Sequence, residues 1–197
     1  MTAMPPRLSP PPPARWKWTR EQYHEMGRLG FFRGKRVELI DGEVRPMSPM
    51  NDPHGLAVVF TSEALRLLFG EQFTHRVQLP MRLWNGDEPE PDVAVIAGPP
   101  RSHTGHPPTA VLVVEIADTS FEFDTHEKAG LYAAAGVPEY WVLDLERRRL
   151  LVFRGPKPAA SEPFGHRYES LLSLDPDQKL SPLAAPDASV KVADLLP

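Results

Sequence analysis

The segment AVLVVEIA, residues 110–117, constrains the fold more than any other part of the chain, because every residue in it is apolar except Glu115. A near-continuous apolar run of this length is the pattern of a strand buried on both faces. An ionised carboxylate is costly there unless it meets a polar crevice or a metal. The same argument applies to Asp92, which follows Pro91 and opens the apolar run VAVIAG, closed by Gly98-Pro99-Pro100. Two carboxylates beside two buried strands therefore need a chemical reason to be where they are.

Around these runs the chain punctuates itself clearly. Thr19 followed by Glu21 and Gln22 reads as the N-cap of a short helix ending near Gly27 or Gly30. RVELIDGEVRPMS holds two extended runs about Asp41-Gly42, a favoured pair for a two-residue hairpin turn. From Pro53 to Phe69 the apolar positions Leu56, Val59, Phe60, Ala64, Leu67 and Leu68 recur at helical spacing, with Gly70 as the stop. FTHRVQLPMRLW alternates as one strand. Residues 101–108, with His103 and His106, read as an exposed connection. Asp124 to Ala135 is a helix ended by Gly136, and EYWVLDLERRRLLVFR reads as two strands about a charged turn. HRYESLLSL and SVKVADLLP are further short strands or a terminal helix. Residues 1–15, MTAMPPRLSPPPPAR, are a Pro-rich tail expected to be disordered, leaving residues 16–197 as a single domain.

With 41% hydrophobic and 24% charged residues among 197, the chain has the composition of a folded globular protein. It has no cysteine, which excludes disulfides, zinc-thiolate sites and cysteine nucleophiles and leaves oxygen or imidazole for any metal. No secretory signal or membrane-length apolar stretch is present, so a cytoplasmic location is expected. The formal net charge of -4 is not that of a protein coating nucleic acid by bulk attraction. Local basic clusters remain, at Arg33, Lys35, Arg36 and Arg45 and again at Arg147–Arg149, either as part of a binding groove or as solvated turns.

Magnesium takes one or two carboxylates and keeps its other positions for water and substrate phosphate, so Asp92 and Glu115 suit it, or manganese. Lys128, in FDTHEKAGLYAAAG, offers a compact positive charge for a phosphorane-like transition state or for the attacking water. It also shares a helix face with Asp124 and Tyr132, where a surface ion pair would explain it equally well. Glu43 either completes a metal shell from the hairpin or faces solvent. Glu38 reads more simply as the wet face of an alternating strand. His54, in a first helical turn, is placed to meet metal or a scissile phosphate. Asp118 reads as a turn or cap residue, with a hydrogen-bond acceptor at the site edge as the alternative, and Tyr132, Tyr140 and Trp141 read as packing.

VELIDGE, His54, PEPDVAVI, VLVVEIADTS, FDTHEKAGLYAAAGVPEYWVLDL and SVKVADLLP, taken in order, resemble the Uma-two restriction-endonuclease family, a branch of the PD-(D/E)XK nuclease superfamily. The resemblance implies an α/β restriction-endonuclease-like core, a central mixed β-sheet flanked by helices, preceded here by the N-terminal helix and hairpin. It places Asp92 at the motif aspartate and Glu115 at the second acidic position. The superfamily lysine would fall at residue 117, which is Ala117, and Lys128 matches the lysine of the Uma-type motif instead. The expected function is metal-dependent hydrolysis of DNA phosphodiester bonds, with Asp92 and Glu115 holding Mg2+ or Mn2+, Lys128 assisting, and Glu43 and His54 in support. The alternatives are an inactive interaction module and a nuclease acting on RNA or structured DNA. A homodimer is compatible with either activity.

Overall fold

The computed structural model describes residues 16–197. The Pro-rich tail, residues 1–15, lies outside the described residues. Thr19 caps α1, Arg20–Arg28, through a reciprocal capping box with Gln22. The strands β1, Val37–Ile40, and β2, Glu43–Pro46, pair antiparallel about Asp41-Gly42. Both turn residues have positive φ, 52° and 67°, as a type I′ turn requires. Asn51 caps α2, Asp52–Phe69, which stops at Gly70.

Six strands form the central mixed sheet: β3, Phe73–Val77, β4, Val93–Ala97, β5, Leu112–Ala117, β6, Glu139–Asp144, β7, Arg149–Pro158, and β8, His166–Leu174. They lie in that spatial order. β5 and β6 are parallel and every other neighbouring pair is antiparallel. The parallel pair needs a crossover. A π-helical turn, Phe123–Lys128, running into α3, Ala129–Ala134, provides it. The small pair β9, Lys179–Leu180, and β10, Val190–Lys191, closes the C-terminal region with a 3-10 turn at Val192–Asp194.

Helices cover the sheet on both sides. On one face Ala57, Val58, Leu65 and Phe69 of α2 pack with Val93, Val95, Leu112, Val114 and Trp141. On the other, Ala129, Leu131, Tyr132 and Ala133 pack with Ala94, Ile96, Val113 and Val142. This double cover explains why AVLVVEIA is apolar on both parities. It also fixes the direction of the carboxylates. With a side-chain period of two, Asp92 shares the α3 face with Ala94 and Ile96, and Glu115 shares it with Val113 and Ala117.

Two expectations about elements need correction. β3 ends at Val77, and the rest of FTHRVQLPMRLW is irregular, because Gln78 has a positive φ of 49° and Pro80 cannot donate to a ladder. Met81 and Leu83 are nonetheless fully buried, which is why the stretch imitates a strand. The helix expected from Asp124 begins as a π turn, although Asp124, Lys128 and Tyr132 still share one buried face.

Candidate active site

A cleft of about 350 Å3 opens at the ends of β4 and β5, beneath the π turn and beside the N-terminus of α2. Val93 pairs with Val114, and the next register step sets Asp92 opposite Glu115. The backbone amide of Ile116 donates to Asp92 Oδ2 at 2.9 Å, so Asp92 is tied to β5 by main chain as well as by pairing. Its Oδ1 meets His54 Nε2 at 3.0 Å and accepts from Gln78 at 3.1 Å. Burial pushes the Asp92 carboxyl upward, but the His54 hydrogen bond and charge, with those from Ile116 and Gln78, outweigh it and hold the group below its ordinary range. The same contact raises His54, against its own partial burial.

Lys128 is buried, and its Nζ stands 2.9 Å from Glu115 Oε1, 3.5 Å from Glu38 Oε2 and 3.9 Å from Asp124 Oδ1. Tyr132 donates to the same Glu115 oxygen at 2.7 Å. The surface ion pair read from sequence is therefore wrong in its setting: Asp124 and Lys128 are about 2% and 5% exposed. The π turn carries both into the cleft lining, and Ser120 also hydrogen-bonds Asp124. Glu38 likewise leaves the solvent face assigned to it. It is buried because β1 lies over the cleft, where it accepts from the Glu90 amide and faces Lys128.

Four carboxylates, Glu38, Asp92, Glu115 and Asp124, thus surround one ammonium and one histidine. Burial raises Glu115 to about 8 even though Lys128 opposes it, and raises Asp124 to about 6. Lys128 is itself held far above its usual range: burial opposes its charge, but the carboxylates outweigh that. The cluster carries more negative charge than it can keep ionised. Among the described residues no three His, Asp or Glu side chains form a ready-made metal cage. A divalent ion of the magnesium type needs only one or two carboxylates, and surplus charge on hard oxygen donors is the condition that favours it. The chemistry of the donor set suits such an ion, and Asp92 and Glu115 are the residues that would hold it.

The remaining sequence candidates separate. Glu43 pairs with Arg45 at 3.3 Å and does not line the cleft. Arg36 and Arg45 do line it, but Arg36 bonds Glu90 and Gln78, while Arg45 bonds Glu127 and covers the Phe123 ring. Arg147 and Arg149 instead hold Asp144. Asp118 accepts from Asn51 at 2.6 Å across the cleft mouth rather than acting as a simple turn residue. Gln78 and the hydroxyl of Tyr132 escaped the sequence reading. The first lies in a stretch that looks like strand, and the second carries the pattern of a core aromatic; the i, i+4 spacing of Tyr132 from Lys128 was its only signal.

A sheet of this order with carboxylates at adjacent strand ends and a cationic helix above them defines the restriction-endonuclease-like class of α/β folds. A crystal structure at 1.96 Å of a protein from Anabaena variabilis ATCC 29413, described as a "putative nuclease belonging to DUF820", superposes with a TM-score of 0.68 at 12% identity, covering 90% of this chain and 96% of that one. No curated protein sequence matches significantly. Residues 20–193 match the Uma2 family, whose description is "Putative restriction endonuclease", and the chain belongs to that family.

Proposed function

We propose that the cleft hydrolyses phosphodiester bonds of DNA. The observation that carries this reading is the convergence of Asp92, Glu115 and Lys128 in one buried cleft with surplus negative charge. Asp92 and Glu115 would hold Mg2+ or Mn2+, which supplies Lewis-acid polarisation of the phosphate and a more acidic water. Lys128 holds Glu115 in place and contributes positive charge where the phosphorane develops. Glu38 and His54 hold Lys128 and Asp92 from the opposite sides, and Glu43 acts at a remove by setting Arg45.

Plasmid cleavage in Mg2+ or Mn2+ is the direct test. Asp92→Ala and Glu115→Ala should each lower the rate by about a hundredfold or more, the scale of losing one charge-stabilising group. Equal rates for wild type and both variants would sink the proposal. A second reading, an inactive interaction module, draws on Lys128 being enclosed by three carboxylates as in a structural ion-pair cluster. Calorimetric titration with Mg2+ separates the two, because only the first requires carboxylate-dependent binding. RNA or structured DNA would use the same chemistry, and parallel oligonucleotide substrates distinguish them.

A second copy of the chain belongs to the same proposal. β8 is an edge strand of nine residues carrying exposed Leu171 and Leu172, and antiparallel edge pairing is a route to a two-fold dimer. Sedimentation velocity reads it directly. Among the described residues no helix is long and apolar enough to cross a membrane, and we assign the activity to the cytoplasm.

A further inference from the structure

Away from the cleft, a second groove lies between the Asp41-Gly42 turn and the C-terminal end of α3, with Lys17, Trp18, Trp84, Asn85 and Phe164 on its walls. Trp84 is 71% exposed, yet it is not loose: its Nε1 donates to the Ala134 carbonyl at 2.9 Å. Trp18 is pinned by its amide to the Gly42 carbonyl at 2.7 Å and meets Trp16 edge-to-face with ring centroids 6.0 Å apart. A large aromatic face anchored at one edge and open to water, as that of Trp84 is, is ready to stack on a planar ligand at little cost in side-chain order. Lys17 at the rim is paired with Asp41, and Arg20, Glu21 and Asp87 also line the groove, so two cations stand against three carboxylates there.

Two separate elements connect this groove to the cleft. The hairpin has Glu38 at the cleft and Asp41-Gly42 at the groove; the crossover has Lys128 at the cleft and Ala134 at the groove. Three residues of strand or six of helix both span about 10 Å. Successive bases stack about 3.4 Å apart, so the distance corresponds to about three nucleotides. An aromatic groove with no excess of positive charge suits base faces rather than phosphates.

Resting on the nuclease reading above, we propose that this groove is a stacking subsite for unpaired bases of the substrate, so that the protein engages single-stranded or frayed nucleic acid a few nucleotides from the scissile phosphate. Bases paired in an intact duplex present only their edges, and cannot stack on Trp84 and Trp18.

The test is quenching of tryptophan fluorescence by a twelve-nucleotide single-stranded DNA in EDTA, so that binding is read without cleavage. Trp84→Ala should weaken binding about tenfold and Trp84→Phe should restore most of it. A blunt duplex of the same sequence should bind equally to wild type and Trp84→Ala. Unfolding by circular dichroism checks that each variant is folded. Equal single-strand affinity for folded wild type and Trp84→Ala overturns the proposal, as does a change in oligomeric state with oligonucleotide binding intact, which would make the groove a protein interface. Trp84-dependent binding without cleavage in Mg2+ or Mn2+ would leave the subsite standing and remove the nuclease reading. Cleavage of single strands unaffected by Trp84→Ala would do the reverse.

Discussion

At Lys128 one ammonium stands among Glu115, Glu38 and Asp124 with almost no water, and its removal leaves those charges uncompensated. Lys128→Met should destabilise the fold by about 3–5 kcal/mol at neutral pH, read by urea unfolding, and by clearly less at pH 5, where Glu115 and Asp124 both carry protons. The wild type carries a related pH signature. Glu115 titrates at about 8 in the folded state, above its ordinary range, so between the unfolded and folded values the native protein binds the extra proton. Its contribution to stability is therefore complete at low pH and is lost as pH rises through about 8. Asp124, raised to about 6, loses its own contribution earlier. Melting temperature should fall from pH 6 to pH 9, and Glu115→Gln should flatten the upper part of that decline. Mg2+ should raise the melting temperature more at pH 8.5 than at pH 6.5, since the ion competes with the same proton. Equal stabilisation at the two pH values would argue against Glu115 as a holder. At this scale, sequence could mark Asp92 and Glu115 as costly residues in apolar surroundings, whereas Lys128 read equally well as half of a surface ion pair. It could not rank Glu38, because one carboxylate in a four-residue strand looks the same whether the strand's outer face meets water or Lys128.

The crossover between β5 and β6 is the element on which the cleft depends. Its π turn places both Asp124 and Lys128 inward, and α3 then seats against the loop at Pro163. Gly130 makes that seat possible: a Cβ there would come within 2.6 Å of the Pro163 carbonyl oxygen. Gly130→Ala should cost about 1–3 kcal/mol through overpacking and lower the melting temperature by several degrees, despite alanine's better helix propensity. An unchanged or raised melting temperature would mean that the loop yields freely. Capping and turn signals made α1 and the β1–β2 hairpin legible, and apolar spacing ended by Gly70 made α2 so, because each is decided within a short stretch of chain. The π turn had no such signal. Its extra residue per turn is sustained by contacts with β1 and β5 that are distant in sequence.

For the whole molecule, a net charge of -4 means that nucleic acid is not drawn in by long-range attraction. The two arginines lining the cleft are already paired with carboxylates. Binding of duplex DNA should therefore show a shallow salt dependence, with log K falling by no more than about two per decade of salt. A much steeper slope in a filter-binding series would show a larger phosphate footprint than the cleft provides. The sheet, its double cover and the strand carrying each carboxylate were written into the sequence, since periodicity and apolar run length are local properties that burial enforces residue by residue. Only the tertiary structure decided which charges share a cavity. Glu38, Asp92, Glu115 and Lys128 come from a hairpin, two strands and a crossover, and it is the packing of these elements that brings Lys128 into ion-pairing reach of Glu115 and Glu38 and sets Asp92 in the same cleft. It likewise decided that the Lys128 ammonium, carried by the crossover and not by β5, stands 2.9 Å from Glu115.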